Sequence, residues 1–409
     1  MNMVFLGRQP IFDRSQKVFG YELLHRSGAG QNAYTHHDGD HASKVVIHNS
    51  LNVIPLPDLV GHRRAFVNIT RRLLIEGTYA VLPAEQCVVE LLEKIPADEE
   101  VLAACRALKN AGYLLALDDF VDGPEYLPLL EYADILKIDF LTSDGPRRRH
   151  FVDAYGGKHI MLLAEKVESH EDFQEALDLG YTYFQGYFFC KPEIMTGRTV
   201  PAIKQTLLRF IQEINRSPMD FGRLEEIIKC EVSIASKLLR YLNSSFVGVR
   251  QRITSIKQAL AMLGEGPLRR WGSLVALGAL AEGKPAELLV TCLVRARFCE
   301  TIGPMVGLAG RELDTFLMGL FSAMDALMDQ PLDAVISEIP VAADVSAALL
   351  GANTLLGKTY RLVLAFERGN GALVEFIVRD LKLSLGEIST VYQEALSWVD
   401  QNVRTSIAA

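Results

Sequence analysis

The sequence predicts an α/β fold, a parallel sheet or barrel, followed by an all-α domain, and three observations carry this. Short apolar runs alternate with helix-like stretches up to about residue 190, the rhythm of strands joined by crossover helices. Beyond that point the apolar period is helical throughout. The length of 409 residues suits two compact domains of about 200 residues each better than one core.

The elements follow in order. Val4 to Gly7 and Lys17 to Leu24 flank Asp13-Arg14-Ser15, a turn-rich hairpin signal. Later apolar runs are Phe66-Val67, Cys87 to Val89, Tyr113 to Leu117, Asp134 to Ile138, Ile160 to Ala164 and Tyr183-Phe184. Helical patterns lie between them, among them Glu99 to Asn110 and Glu171 to Leu179. The Pro192 to Pro201 stretch breaks the pattern and puts the boundary near residue 203, giving domains 1–203 and 204–409. Leu207, Leu208, Ile211 and Ile214 then make one helical stripe. Leu224, Ile227, Ile228, Ile234, Leu238, Leu239 and Leu242 make others, and Ser384 to Val399 gives a last amphipathic helix.

Composition narrows the function classes. Hydrophobic content of 49% with 22% charged residues excludes a disordered chain and a coiled-coil rod. A net charge of −8 argues against a nucleic-acid partner held by bulk electrostatics. The arginine clusters Arg63-Arg64, Arg71-Arg72, Arg147 to Arg149 and Arg269-Arg270 read as solvated faces. The longest apolar stretch, near Gly272 to Ala281, is about half of a membrane-spanning helix, so no membrane insertion is expected. Six scattered cysteines without a CxxC pair fit neither a disulfide framework nor a zinc knuckle. A cytoplasmic location is the expectation.

Polar residues recur at strand ends. Asn68, Glu90, Asp118 with Asp119, Lys137, Glu165 and Gln185 each follow an apolar run, at spacings of 22, 28, 19, 28 and 20 residues from Asn68 onward. In a TIM-type barrel the carboxyl ends of the strands share one face, which would gather all of them round one mouth, with Glu22 able to join. Crowded carboxylates repel unless cations neutralise them, and oxygen ligands favour Mg²⁺ or Mn²⁺. Two such ions suit in-line attack on a phosphodiester. Taken singly, Asp119 reads more readily as a turn cap and Lys137 as a partner for Asp139; the constellation at six successive strand ends reverses that reading.

On these residues the N-terminal half resembles the EAL domain family, which hydrolyses cyclic di-GMP to the linear dinucleotide. The matches are Gln9-Pro10-Ile11, Glu22-Leu23-Leu24 with His25-Arg26, Asn68, Glu90 with Glu93, Asp118-Asp119-Phe120, Lys137 with Asp139, Glu165 with Glu168, and Gln185-Gly186-Tyr187. The resemblance implies a TIM-like barrel with one strand reversed. It implies that Glu22, Asn68, Glu90 and Asp118 hold one divalent ion, and that Asp118, Asp119 and Glu165 hold a second. Lys137 and Gln185 would place the water, with Glu165 and Glu93 also in the catalytic group. Gln9, Leu24, Arg26 and Glu168 would contact cyclic di-GMP, and a homodimer is implied.

Departures temper the activity. Val121 stands where the family has glycine, Pro124 and Pro128 stiffen the loop, Leu92 replaces threonine and Lys166 replaces glycine. Altered support round intact ligands commonly costs about 10–100-fold in metal affinity or activity, so a weak or conditional enzyme is expected. The alternative is an inactive regulator that binds cyclic di-GMP or a protein.

The C-terminal half resembles the HDOD family over Ser233 to Ser245, Ile253 to Gly264, Ala365 to Asn370 and Val391 to Asp400. All nine histidines lie at or before His170, so a histidine–aspartate metal site is excluded there. Asp325 alone reads as a helix-surface charge. Regulation or contact with a protein partner is the expected role. His36, His37 and His41 with Asp38 and Asp40 read as a polar loop.

Overall fold

The computed structural model describes residues 5–26, 56–92, 95–124, 126–157, 159–190, 202–242 and 255–407. The histidine-rich loop lies outside them. The chain divides into two compact units, residues 1–191 with 362–409, and residues 192–361.

In the first unit eight strands close into a barrel in sequence order. They are β1 (Phe5–Asp13), β2 (Val18–Arg26), β3 (Arg64–Ile69), β4 (Cys87–Leu91), β5 (Leu114–Leu117), β6 (Ile135–Asp139), β7 (Met161–Glu165) and β8 (Tyr183–Gln185). β1 runs antiparallel to both β2 and β8, while the pairs from β2 to β8 are parallel. The expected reversed strand is therefore β1, delivered by the hairpin at Asp13-Arg14-Ser15. Asp13 closes that turn by accepting from the Ser15 and Lys17 amides.

Helices α1 (Leu56–Val60), α2 (Arg71–Ile75), α3 (Glu99–Asn110), α4 (Gly145–Tyr155) and α5 (His170–Leu179) lie between strands. Asp98, Asp144 and Ser169 cap α3, α4 and α5, each accepting from the amide three residues on, which satisfies donors the first turn leaves free. Two arginine clusters are less solvated than the sequence suggests. Arg148 pairs with Glu175 at 2.6 Å over the Phe140 ring, and Arg71 ties α2 to Asp98 and Glu100.

The second unit contains α6 (Ala202–Asn215), α7 (Phe221–Cys230), α8 (Val232–Leu242), α9 (Ile256–Leu263), α10 (Glu265–Leu280), α11 (Ala286–Met305), α12 (Glu312–Leu320), α13 (Met324–Met328), α14 (Leu332–Glu338) and α15 (Ala343–Leu349). α11 and α12 pass backbone to backbone: a Cβ on Gly319 would stand 2.3 Å from the Arg295 carbonyl oxygen. Arg270 pairs with Glu300 and lies over the Phe316 ring, so it too is part of the packing. Asp325 is half-buried at the start of α13 rather than freely exposed.

α16 (Leu355–Glu367) crosses the unit boundary, and α17 (Gly371–Asp380) and α18 (Leu385–Ile407) belong to the barrel unit. The division therefore departs from the expected 1–203 and 204–409. The reason is local: α18 packs on β1 and α1, and the Tyr187 hydroxyl donates to the Glu367 carbonyl at 2.9 Å. An amphipathic stripe announces a buried helical face without naming the core that covers it. Among the described residues no helix is long and apolar enough to cross a membrane.

Candidate active site

The site follows from strand periodicity. One interior layer of the barrel contains Phe66, Val88, Ala116, Ile135, Leu163 and Tyr183, one residue from each of β3 to β8, with Ile11 from β1. Successive side chains alternate between faces, so the residue two positions on points inward again, one layer nearer the carboxyl end. Two positions on from those six stand Asn68, Glu90, Asp118, Lys137, Glu165 and Gln185. On β2 the same step leads from Gly20 to Glu22. On β1, which runs the other way, stepping back from Ile11 leads to Gln9. An apolar floor thus carries a polar layer at the barrel mouth.

Lys137 occupies the centre and is fully buried. Its Nζ stands 2.7 Å from Asp118, 2.8 Å from Glu90 and Glu165, and 3.5 Å from Glu22. Asn68 donates to Glu22 Oε1 at 3.0 Å, and Gln185 donates to Glu22 Oε2 at 2.6 Å and to Gln9 Oε1 at 3.1 Å. Burial pushes Glu165 up to about 8 and Glu90 well above the carboxylate range, with Asp118 and Glu22 adding repulsion that Lys137 only partly offsets. Burial opposes the charge on Lys137, but the four carboxylates outweigh it and hold the ammonium protonated.

The loop after β5 is fixed by backbone hydrogen bonds on either side of Asp119. The Asp118 amide donates to the Leu91 carbonyl and the Phe120 amide to that of Lys137, continuing the sheet past its last strand residue. Between them Asp119 takes a left-handed φ of 42°, a cost usually stored at functional sites. Val121, as its β-branch requires, does not share that conformation and is 44% exposed. Asp122 anchors the loop instead, accepting from Tyr155 at 2.7 Å and pairing with His150.

Lys166 also sits at a left-handed φ, of 56°, and its Nζ pairs with Asp139 and with Asp119 Oδ1 at 3.4 Å. Asp139 is thereby tied to Lys166, not to Lys137. Burial and Asp118 together raise the Asp119 carboxyl against the pull of Lys166.

The donor set fits divalent cations. Four carboxyl groups face one buried ammonium, and the upward push on Glu90 and Glu165 shows that this one cation does not balance them. Both Glu90 oxygens, Asn68 Oδ1 and Gln185 Oε1 are buried without a hydrogen bond, and Lys137 meets Glu90 as an ion pair only. Oxygen atoms in this state suit a hard cation. No ready-made cluster of three or more metal-ligating side chains occurs among the described residues; the carboxylates are drawn onto Lys137 instead.

The sequence is 33% identical over 402 residues to the cyclic di-GMP phosphodiesterase CdgJ of Vibrio cholerae, covering 97% of this chain and 93% of that protein. The chain belongs to the EAL–HDOD family. The EAL domain matches residues 36–192 and the HDOD domain residues 200–328. The uncharacterized protein YuxH of Bacillus subtilis is likewise 33% identical over 403 residues, 97% of this chain and 98% of its own. An EAL domain protein from Listeria monocytogenes EGD-e, of known structure, is 22% identical over 46% of this chain and 87% of its own, with a TM-score of 0.38.

Of the site residues expected from the sequence, Gln9, Glu22, Asn68, Glu90, Asp118, Lys137, Glu165 and Gln185 form one connected group. Asp119 joins it beside Asp118. Leu24 is half-buried on β2 and Glu168 is exposed in the segment after β7. Arg26 ends β2, its side chain outside the described residues, as is Glu93. The pairing of Asp139 with Lys166 escaped the sequence reading. Its one signal is a lysine at an EAL glycine position directly after Glu165.

Gly186, in the Gln185-Gly186-Tyr187 motif, has a φ of 152°, and a Cβ there would stand 1.9 Å from the Val167 carbonyl oxygen. Gly186→Ala is expected to cost about 3 kcal/mol of stability, as overpacking against rigid backbone does. Urea unfolding checks this; an unchanged midpoint would show that the β8 end is not pinned as described.

Proposed function

We propose that this chain is a metal-dependent phosphodiesterase that opens cyclic di-GMP to the linear dinucleotide, slowly or conditionally, with the helical unit regulating it through a protein partner. The observation that carries the proposal is the convergence of Glu22, Glu90, Asp118 and Glu165 on Lys137 at the strand ends. Its likeness to CdgJ over nearly the full length supports the substrate. A homodimer acting in the cytoplasm belongs to the same reading.

Glu22, Asn68, Glu90 and Asp118 would hold one Mg²⁺ or Mn²⁺ ion, and Asp118, Asp119 and Glu165 the second. Such ions supply a water of lowered pKa and offset charge on the phosphoryl oxygens. Lys137 keeps the carboxylates converged and offers positive charge toward the developing negative charge. Gln185, held by Glu22 and Gln9, orients a nucleophile in the mouth. Gln9, Leu24, Arg26 and Glu168 bind the dinucleotide, Arg26 through a two-pronged contact to phosphate.

A second reading, a regulator that binds cyclic di-GMP without turning it over, is favoured by one observation. Lys166 pairs with Asp119 and Asp139 at the edge of the second ion's ligand set.

Anion-exchange analysis of cyclic di-GMP incubated with the purified chain and Mg²⁺ or Mn²⁺ separates the two readings. Linear dinucleotide is expected from the native chain and none from Glu22→Ala. No product from the native chain at high concentration and long incubation would leave the binding reading in its place.

A further inference from the structure

The loop after β5 is attached twice to one helix, α4, just past Asp119. The Phe120 ring is 5% exposed and stands edge-on to Tyr155 and Phe151 of α4, with ring centres 5.5 and 5.9 Å away. Two residues on, Asp122 accepts from the Tyr155 hydroxyl at 2.7 Å and meets His150 Nε2 at 2.8 Å. The same helix thus holds the loop by a buried ring and by a carboxylate.

The two polar contacts differ in weight. The His150 and Asp122 side chains are 55% and 37% exposed, and pairs so open to water contribute little. Tyr155 is buried, and its hydroxyl donates to a charged acceptor, one of the stronger kinds of hydrogen bond. The Tyr155 hydroxyl first, and His150 after it, hold the Asp122 carboxyl below the ordinary carboxylate range.

Asp119 lies inside this hold. Backbone hydrogen bonds fix the amides of Asp118 and Phe120, side chains fix 120 and 122 on α4, and Asp119 between them has a φ of 42°. A residue with a side chain stays in that region only where its surroundings impose it. A loop released at Asp122 could let Asp119 return to an ordinary φ, and its carboxylate would turn away from Asp118.

We propose that Asp122 is a positioning residue: by taking the Tyr155 hydroxyl it pins the loop to α4 and keeps Asp119 in the left-handed conformation that presents its carboxylate beside Asp118. The consequence rests on the metal-dependent reading given above, in which Asp119 holds the second ion. Asp122 is not a ligand in that reading and acts through the backbone alone.

Two measurements on the full chain test this. The first is urea unfolding in EDTA, which needs no metal. Asp119→Gly relieves the left-handed backbone, so its effect on the midpoint should be more favourable in the native background than in Asp122→Ala, where the loop is already free. An equal effect in both backgrounds overturns the proposal.

The second counts bound Mn²⁺ from the electron paramagnetic resonance signal of the unbound ion. Asp122→Ala and Tyr155→Phe should each weaken the looser of the two ions by about 10–100-fold, while Tyr155→Phe keeps the ring that packs on Phe120. Asp122→Asn should keep most of the native affinity, because its amide oxygen still accepts from Tyr155. Native Mn²⁺ binding in both Asp122→Ala and Tyr155→Phe overturns the proposal, as does an equal loss in Asp122→Asn and Asp122→Ala. A native chain that binds no Mn²⁺ refutes the metal-dependent reading instead, and the unfolding comparison still decides whether Asp122 holds Asp119.

Discussion

Lys137→Met is expected to cost about 3–5 kcal/mol of stability in the absence of divalent ions, the usual result of stripping one partner from a buried ion group. The substitution keeps the volume of the side chain but leaves Glu22, Glu90, Asp118 and Glu165 facing each other with no cation among them. Mn²⁺ should then return much of the loss. An ion at about 100 times its dissociation constant contributes about 2.7 kcal/mol by binding only the folded state. Turnover should not return with stability, falling by about 10²-fold or more, because the positive charge proposed to act on the phosphoryl group is gone. Chemical unfolding in EDTA and in Mn²⁺, beside the dinucleotide assay, reads both effects. A variant as stable as the native chain in EDTA would mean that protonation of Glu90 and Glu165 relieves the crowding unaided.

Much of this site is legible in the sequence because a barrel converts chain position into spatial position. The spacing of Asn68, Glu90, Asp118, Lys137, Glu165 and Gln185 matches one strand–helix unit each, and strand alternation then fixes them two residues above the apolar layer that begins with Phe66. Gly20 belongs to the same logic: it stands opposite the Phe66 ring, whose Cε2 atom would be 2.9 Å from a Cβ there. What periodicity cannot supply is pairing between loops. Asp139 lies at the end of β6 and Lys166 just after β7, and their contact follows from register across that pair, in which Asp139 faces Glu165. The departure at the C-terminus has a similar origin. Helices α17 and α18 carry ordinary amphipathic stripes, and only packing assigns them to the barrel unit.

The substitution at residue 166 gives the second large effect. Lys166 holds a conformation with φ of 56°, which costs a side-chain-bearing residue about 1–2 kcal/mol. Its ion pair with Asp139 is partly exposed, the lysine side chain at 46%, and such pairs contribute at most about 1 kcal/mol. The lysine is therefore retained against its own backbone preference, and its effect falls on Asp119. Lys166→Gly should raise apparent Mn²⁺ affinity and turnover by about 10–100-fold, the range over which support round metal ligands acts, at no loss of stability. Lys166→Ala separates the two contributions: it removes the charge but keeps the strained backbone. Both variants should gain metal affinity, with the glycine variant about 1 kcal/mol more stable than the alanine one. Titrating Mn²⁺ in the dinucleotide assay measures the first effect and urea unfolding the second. If neither variant shifts the half-saturating Mn²⁺ concentration, Lys166 does not compete for the proposed ligand set, and the slow turnover proposed for this chain would have to originate in the loop carrying Val121.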